Sequence, residues 1–480
     1  MEFGIQFKKS RGALISGKIL FFLLVMLIFL NISLGDALYL LKWGELQDLT
    51  SKIMWLITGG GLFVSCLIII YYILKFNKLH RLLVILTFLF FMHLTNFIVY
   101  HNLTGYKMLW DFITFYKYFF LFIALRLFLH FYPQYIKRIE SYYFKILNIS
   151  LIINLICGYL YFFFGHTGIS ILDNSYNFES VLRGKAGSLL EGHYFFTLFG
   201  GHNAVSAFLG SVLLILIGRY KYKTLTFLFT IVPFLFFLSS KMAKIAFLIS
   251  LVYFWAKIKR VNIKLIFIIG TLFYSIIATF CYFINIDIYS FHDFGMILNP
   301  IKFVQVAIEH GNMRPATYFF AFKIILGDIK NFFFGLGGGF ASYFKALGDK
   351  TLFEIMVDKY WPKYSPGVGS LFDSQYVQFL VEYGFLYLVL YLIFLLYLFR
   401  LFSKLEKTIV VNSNSTIYFR DIIVSKALVI YIFYLGISNS IIGLRALGCT
   451  IVVFWVLTLV KVKFILLFNS KLKMKNSTCC

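Results

Sequence analysis

The stretch QYVQFLVEYGFLYLVLYLIFLLYLF, residues 375–399, decides the fold. Glu382 is the only charged residue in it. A helix of about 20 apolar residues is long enough to cross the hydrocarbon layer of a bilayer. A helix also pairs its own backbone N–H and C=O groups, as lipid requires. The stretch therefore predicts a membrane-spanning helix.

Similar stretches recur along the whole chain. Of its 480 residues, 61% are hydrophobic and only 14% are charged, and the mean hydropathy is +0.85. A soluble domain needs a polar surface, which this composition does not supply. A porin-like barrel would show short segments that alternate between apolar and polar residues. The composition therefore predicts an all-α integral membrane protein.

The apolar stretches predict about twelve membrane spans. Two of them, 224–239 and 243–256, are short, and we expect a hairpin of two helices that turns near Ser239, Ser240 and Lys241. The predicted spans are 13–34, 53–74, 82–100, 112–131, 146–164, 194–218, 224–239, 243–256, 265–284, 375–399, 421–442 and 448–468.

The distribution of Lys and Arg predicts the orientation of these spans. Segments on one side of the membrane, such as 132–145, 219–223 and 400–420, are rich in both residues. Because basic segments beside spans remain in the cytoplasm, we place both termini there. The chain then divides into three regions. Residues 1–284 hold nine spans and an extracytoplasmic loop at 165–193, and residues 285–374 form a large extracytoplasmic loop. Residues 375–480 hold three spans and a cytoplasmic tail.

The net charge of +25 has the same explanation. In a soluble protein it would suggest a nucleic-acid partner, but here the basic residues flank the spans, so we expect a lipid bilayer as partner and no nucleic acid. The six cysteines form no CxxC pair and show no metal-ligand spacing. We therefore expect no disulfide framework. We also expect no metal, because cationic side chains can take its role, and no cofactor.

The glycines of NFFFGLGGGF, residues 331–340, raise the question of a phosphate-binding loop. No strand precedes Gly335 and Gly337, and no GKS or GKT follows them, so a Walker-type nucleotide site is excluded. Nucleotides are also cytoplasmic, whereas this segment is predicted outside. Two interpretations remain. Either the glycines end a helix that begins near Arg314 and turn the chain back, or they bring the backbone close to an anionic head group.

Cationic side chains are predicted on the same side of the membrane. Arg314 opens an apparent helix whose apolar residues recur at helical spacing: Phe319, Phe322, Ile325 and Ile329. Lys241 and Lys244 begin a short span, and Arg183 lies in the loop at 165–193. Each is a candidate for binding a lipid-linked phosphate. The alternatives are a lysine that extends to the interface and ordinary surface charge.

Few residues are candidates for acid–base chemistry. Asp373 precedes the span at 375–399 and Glu382 lies inside it; a carboxylate at membrane depth is costly and hence a functional candidate. His310 lies close to Arg314 in the sequence. The alternatives are an N-cap for Asp373 and a structural role for His310. Asn203 lies within a span, where a helix–helix hydrogen bond is the simpler explanation.

Four segments carry a resemblance to a known family. They are GHNAVSAFL (201–209), LSSKMAKIAFLIS (238–250), MRPATYFFAFKIILGDIKNFFFGLGGGF (313–340) and FDSQYVQFLVEYGFLYLVLYL (372–392). Their order over residues 195–400 resembles the O-antigen polymerase and ligase superfamily of bacterial envelope enzymes. The resemblance implies a polytopic fold similar to GT-C-like glycosyltransferases, with a large periplasmic helical loop, in the bacterial inner membrane.

The resemblance assigns roles residue by residue. Arg314, with Lys241 or Lys244 where the family often has Arg, would hold the pyrophosphate of an undecaprenyl-diphosphate-linked oligosaccharide. Asp373 or His310 would accept the proton of the acceptor hydroxyl. The other matched positions are Asn203, Gly335 and Gly337 of the G-x-G turn, Gln375 at the polar entry to the span, and Glu382 and Gly384 of the E-x-G motif. Arg183 is a further candidate for binding the glycan.

The resemblance leaves several functions open. A polymerase would transfer the growing glycan to another lipid-linked repeat unit, and such enzymes generally work with a chain-length regulator protein. A ligase of the same superfamily tends to have His at the polar entry, where this chain has Asp373-Ser374-Gln375, so polymerase is favoured. A lipid-linked oligosaccharide flippase or transporter, and a transferase that uses a simpler polyprenyl-phosphate sugar, are the remaining alternatives.

Overall fold

A computed structural model describes most of the chain. The described residues are 11–34, 47–76, 81–100, 106–164, 202–219, 224–238, 240–261, 313–337, 374–412, 416–437 and 445–477, with a few single positions elsewhere. For some residues near helix ends it describes the backbone alone. These residues form helices and turns and contain no β-strand, which confirms the prediction of an all-α fold.

The first half of the structure is a series of long helices. They are α1 (Arg11–Phe29, extended by a π-helical turn, Leu30–Leu34), α2 (Gln47–Phe76), α3 (Arg81–Tyr100), α4 (Tyr106–Phe131) and α5 (Ile136–Phe164). Pro133 starts a short 3-10 turn between α4 and α5, as a residue without a backbone N–H can at a helix start.

The second half contains both long and short helices. They are α6 (His202–Gly218), α7 (Thr224–Val232, extended by a π-helical turn, Pro233–Phe237), α8 (Lys241–Ile258), α9 (Met313–Leu326), α10 (Ile329–Phe334), α11 (Gln375–Asn412), α12 (Thr416–Leu435) and α13 (Arg445–Ser477). Of the predicted hairpin the structure describes the two helices, α7 with its π-helical turn and α8, which begins at Lys241. Ser239, where the turn is predicted, lies outside the described residues, so the hairpin stays a prediction.

Three helices in the described part of the chain are long and apolar enough to cross a membrane. They are Pro133–Phe164, Gln375–Ile409 and Ala446–Leu466. Shorter apolar helices lie at Gly17–Ser33, Leu56–Tyr71, Ala204–Gly218 and Phe227–Phe237. These helices indicate a membrane protein. The predicted span at 265–284 lies almost wholly outside the described residues, and the count of about twelve spans stays a prediction.

Four charged side chains mark one end of the helical bundle. Arg219, just after α6, contacts Glu140 of α5 at 2.6 Å and Asp421 of α12 at 3.3 Å. Lys461 of α13 pairs with the same two carboxylates. We call this end, defined by these four residues, the ion-pair end. Two cations matched by two anions offset part of the cost of removing charge from water.

A second ion cluster lies at the same end. Glu406 of α11 pairs with Lys426 of α12 and, at 3.3 Å, with Lys257 of α8. Lys426 also lies over the ring of Phe399, 4.7 Å from its centroid. Glu140, Arg219 and Glu406 come from three segments that the charge distribution predicts on one side of the membrane. The tertiary contacts bring these segments to one end of the bundle.

The opposite end holds the start of α11. The Gln375 backbone N–H donates to the carbonyl oxygen of Gly436 at 3.0 Å, so α11 begins where α12 has just ended. The Tyr376 hydroxyl donates to the carbonyl oxygen of Phe433 at 2.6 Å. Between the two ends the core is largely aromatic and aliphatic, and Tyr431 is fully buried with its hydroxyl donating to the carbonyl oxygen of Ala207 at 3.0 Å.

Candidate functional site

Helix α11 is broken at Gly384. This glycine has φ 82° and ψ 175°, a backbone conformation that residues with a side chain rarely adopt, whereas the residues on both sides are helical. A break interrupts the i to i+4 hydrogen bonds, so the carbonyl oxygens of the preceding turn lose their usual donors. In a membrane these groups need other partners, because lipid supplies none.

The turn after α10 supplies those partners. The Leu336 N–H donates to the carbonyl oxygen of Val381 at 2.7 Å, and the Gly337 N–H donates to that of Glu382 at 3.0 Å. Gly335 and Gly337 both have positive φ, 76° and 98°. We call residues 335–337 the glycine turn and this end of the bundle the glycine-turn end. The glycines of the sequence motif thus bring the backbone close to the broken helix α11.

The contact leaves no room for side chains on the two facing glycines. A β-carbon on Gly335 would lie 2.5 Å from the carbonyl oxygen of Glu382, and one on Gly384 would lie 2.6 Å from the Gly335 nitrogen. Real β-carbons do not approach other atoms this closely. The G-x-G and E-x-G motifs are therefore the two halves of one backbone contact.

The glycines end a helix, but not the one that begins near Arg314. That helix, α9, ends at Leu326, and a new helix, α10, starts after Asp328, whose carboxylate oxygen accepts from the Lys330 N–H at 2.9 Å. Gly335 ends α10, donating its N–H to the carbonyl oxygen of Asn331 at 2.8 Å. The single predicted helix is two helices, because Asp328 is a strong N-cap residue.

A residue of α3 joins the glycine turn to the broken helix. The Asn96 amide nitrogen donates to the carbonyl oxygens of Phe334 and Glu382, each at 3.0 Å. Asn96 is buried. It lies far outside the region of family resemblance, and the sequence reasoning missed it. One signal could have identified it. His93 and Asn96 are polar residues one helical turn apart within the apolar predicted span at 82–100.

The side chain of Glu382 is fully buried beside the break. Gln378, one turn earlier, donates from its amide nitrogen to a Glu382 carboxylate oxygen at 3.0 Å. Gln375 is fully buried as well. These three residues recur at helical spacing, which gives α11 a buried polar stripe from its first residue to the break. Glu382, which the sequence analysis named as an acid–base candidate and as part of the E-x-G motif, thus lies buried at the break.

Aromatic rings and a histidine pack beside this stripe. His93 is fully buried and stacks on Tyr383, with ring centroids 4.4 Å apart. Tyr116 and Tyr387 meet the same histidine edge-on, and their hydroxyl oxygens are 3.5 Å apart. The site therefore combines a buried carboxylate, amide donors and a histidine inside a membrane helix bundle, a combination that suits binding of a polar group and transfer of a proton.

The structure describes part of the predicted cation set. Arg314 is the second residue of α9, which packs against α11. Lys241 and Asn203 lie at the first turns of α8 and α6, two helices that pack together. The side chains of these three residues are outside the described part. Lys244 is half-buried on α8, with its N–H donating to the carbonyl oxygen of Ser240 at 3.3 Å.

Three predicted site residues, Asp373, His310 and Arg183, lie outside the described residues. The alternative role considered for Asp373, the N-cap of α11, belongs to its neighbour. The Ser374 hydroxyl oxygen accepts from the Val377 N–H at 3.3 Å. Ser374 therefore caps the helix, as Ser commonly does at a helix start.

The apolar face predicted for the Arg314 helix is wrong in part. Ile325 is buried as expected, with Phe320 beside it, but Phe322 and Ile329 are exposed. The prediction treated α9 and α10 as one continuous helix, and the start of a new helix at Asp328 changes the direction of Ile329 and the side chains after it. Phe322 precedes this point, so for Phe322 the spacing itself was misleading. The side chain of Phe319 lies outside the described part of the chain. Within the described ranges, no three His, Cys, Asp or Glu side chains form a group that could hold a metal ion.

No protein-family model matches this chain, and no curated protein sequence matches it either.

Proposed function

We propose that this chain is a membrane glycosyltransferase that polymerises a surface polysaccharide such as O-antigen. It transfers a glycan from undecaprenyl diphosphate to another lipid-linked repeat unit. The proposal rests on the family resemblance of residues 195–400 together with one structural observation. That observation is the docking of the glycine turn onto the broken helix α11 beside the buried Glu382.

A broken helix is a feature of membrane proteins that bind polar substrates within the bilayer. Non-helical backbone at membrane depth persists where it is buried in protein or lines a cavity. Helix breaks in transporters provide binding groups for ions and substrates. The break at Gly384 has its freed carbonyl oxygens paired with the glycine turn and Asn96. Such a fixed arrangement suits a site that must hold a reacting group in one geometry.

The proposed reaction needs three kinds of group. Cations, Arg314 with Lys241 or Lys244, bind the pyrophosphate and stabilise the charge that develops on it as the sugar–oxygen bond breaks. A base, Asp373 or His310, takes the proton from the acceptor hydroxyl as the new glycosidic bond forms. Glu382 is a third candidate for this base, because it is a buried carboxylate beside the break. Asn203, Arg183 and Gln375 would bind the glycan.

The location follows from the same proposal. The protein lies in the bacterial inner membrane with about twelve spans, both termini in the cytoplasm and the loop at 285–374 in the periplasm. The ion-pair end would then face the cytoplasm and the glycine-turn end the periplasm. The grouping of Glu140, Arg219 and Glu406 at one end of the bundle supports this orientation, because all three come from segments predicted on the cytoplasmic side.

The test is a carbohydrate-stained gel of surface polysaccharide from cells that lack this chain. The proposal predicts loss of the ladder while a single repeat unit remains attached to its final acceptor. Loss of all attached glycan, with polymer accumulating on the carrier lipid, would instead identify a ligase. Single repeat units stranded on the cytoplasmic side would identify a flippase, and the roles given to Arg314 and Asp373 would be withdrawn.

A further inference from the structure

The helix pair α9–α10 exposes large apolar side chains. Their exposed fractions are 43% for Phe322, 66% for Leu326, 76% for Ile329 and 51% for Phe334. A loop segment that lies in water would bury such residues or replace them with polar ones. The same pair buries a second apolar face, with Ile325 fully buried. It is therefore apolar on both its protein side and its outer side.

The depth of α10 follows from where it docks on α11. The first charged residue after the apolar part of α11 is Arg400. Since about 20 helical residues span the hydrocarbon layer, the opposite boundary falls near Leu380. Gly384, four residues further in, then lies about 6 Å inside that boundary at 1.5 Å per residue. Because Gly335 contacts the backbone at Glu382, the end of α10 lies at the same depth.

The exposed face of α10 is continuous with the exposed face of α11. Phe332 stacks on Phe385, with ring centroids 4.9 Å apart and planes 18° apart. Phe385 itself is 38% exposed, and Leu396, further along α11, is 57% exposed. In a spanning helix such side chains face lipid. The apolar face of the α9–α10 pair thus extends the lipid-facing surface of α11 without interruption.

Charged residues lie at positions suited to the interface. Lys323 of α9 and Lys330 of α10 are exposed, as is Asp328, whose carboxylate caps α10. Lysines can leave their aliphatic stems along apolar surface and place the ammonium group among lipid phosphates. Two lysines flanking an apolar tip are typical of helices that lie in a membrane interface.

We propose that the α9–α10 pair is a membrane-embedded element, with Phe322, Leu326, Ile329 and Phe334 in the acyl chains of the leaflet at the glycine-turn end. Lys323 and Lys330 bind the phosphates of that leaflet. The surface is covered by bilayer phospholipid and not by a protein partner, because it continues the lipid-facing side of α11 at the same depth. This inference is independent of the reaction that the chain catalyses.

The test uses single cysteines in the full chain, with the six native cysteines replaced by serine, reconstituted into phospholipid nanodiscs. A bimane fluorophore is attached at Leu326→Cys or Ile329→Cys. Leu396→Cys is the reference for a lipid-facing site and Lys404→Cys the reference for an aqueous one, since Lys404 is exposed beyond the apolar part of α11. Each sample is titrated with phospholipid that carries a doxyl group in its acyl chain, and separately with iodide.

We expect quenching by the doxyl lipid at residues 326 and 329 to be at least half of that at Leu396→Cys, with iodide quenching several-fold weaker than at Lys404→Cys. Iodide quenching equal to that at Lys404→Cys would overturn the proposal and place the pair in water. Protection from both quenchers would also overturn it, because another part of the chain would then cover the face. Strong doxyl quenching at Leu396→Cys shows that the chain with its native cysteines replaced is inserted in the bilayer, and an unchanged Tm of Leu326→Cys and Ile329→Cys shows that these two variants are folded.

Discussion

Gly335 and Gly384 meet backbone to backbone, although Gly335 lies in the turn after α10, Gly384 lies within α11, and the two belong to different predicted regions of the chain. A β-carbon on Gly384 would lie 2.6 Å from the Gly335 nitrogen, and both residues have positive φ. Two separate reasons therefore require glycine at each position: its own positive φ, and the close approach of the other glycine's backbone. The contact fixes the loop segment 313–337 to the membrane helix α11.

Replacing either glycine by alanine should undock the glycine turn. Gly384 (φ 82°, ψ 175°) and Gly335 (φ 76°, ψ −169°) have a backbone conformation that is essentially restricted to glycine. It costs an ordinary residue about 1–3 kcal/mol, and the steric clash with backbone atoms adds to this cost. We expect Gly335→Ala and Gly384→Ala to remove long polysaccharide chains and to lower the Tm of the purified protein in detergent. The measurements are a carbohydrate-stained gel and a thermal unfolding curve.

Gly60→Ala is the matched control for this pair. Gly60 lies in α2, and a β-carbon there would meet nothing within 4 Å. We expect normal chain length and an unchanged or slightly higher Tm, because alanine is the better helix former. Normal polymer from Gly384→Ala would mean that the docked turn is dispensable for activity.

Loss of the Asn96 amide should loosen the same contact from the other side. Asn96→Ala removes the amide donor to the carbonyl oxygens of Phe334 and Glu382, although the latter keeps the Gly337 N–H. A lost hydrogen bond of this kind costs about 0.5–1.5 kcal/mol. Asn96→Asp should be worse, because it places carboxylate oxygens against those carbonyls. Both variants should shorten the polysaccharide. Chain length is scored on gels after protein levels in the membrane are matched.

Asn154→Ala serves as the comparison for Asn96. The Asn154 amide bonds only within its own helix among the described residues, to the Ser150 carbonyl oxygen at 2.7 Å. Its loss should leave chain length normal. If Asn96→Ala and Asn154→Ala reduce polymer equally, then Asn96 has a general packing role and not a role at the site.

The buried carboxylate can be tested without changing its shape. Glu382→Gln keeps an acceptor oxygen for the Gln378 amide but removes the charge. We expect long chains to disappear while the Tm stays equal or rises, since removing a buried charge relieves a desolvation cost. Asp328→Asn, which retains a capping oxygen at an exposed position, should leave chain length unchanged. A full ladder from Glu382→Gln would show that the reaction does not need this carboxylate.

Arg314 is the cation on which the proposed reaction depends most. Arg314→Ala should abolish long chains while the protein stays in the membrane, because a single charged contact to a leaving pyrophosphate is worth several kcal/mol in a transition state. Arg314→Lys keeps the charge and loses the two-pronged geometry, so an intermediate chain length is expected. Lys404→Ala, on α11 at the ion-pair end, is the control. Unchanged chain length in Arg314→Ala would refute the assignment.

The ion-pair end should contribute to stability and not to catalysis. Arg219→Met leaves Glu140 and Asp421 with Lys461 alone. Removing one partner of a fully buried pair costs about 3–5 kcal/mol, and these partly exposed groups should lose about half of that. We expect a lower Tm with long chains still present. Lys145→Met, at an exposed position of α5, should change neither, and an unchanged Tm in Arg219→Met would contradict the stabilising role.

Much of the helical fold could be predicted from local sequence. Lipid offers no hydrogen-bond partner to the backbone of a segment such as 375–399, so composition and length predict a helix there, although not its break at Gly384. The excess of Lys and Arg predicted that segments such as 132–145 and 400–420 lie on the same side of the membrane. In the structure, the ion pairs of Glu140 and of Glu406 lie at the same end of the bundle. Local pattern failed at Asp328, where one capping residue divides a predicted helix in two.

The sequence by itself determined that this chain is an all-α membrane protein with glycine motifs and a lone carboxylate in one span. Only the tertiary structure decided what those features do. Asn96 bonds to carbonyl oxygens 238 and 286 positions further along the chain, and the glycine turn bonds to a helix beyond residue 374. Contacts over such separations depend on how the helices pack, and no local periodicity encodes them. A backbone hydrogen bond also places no requirement on the identity of the neighbouring side chains, except at positions such as Gly335 and Gly384 where only glycine fits.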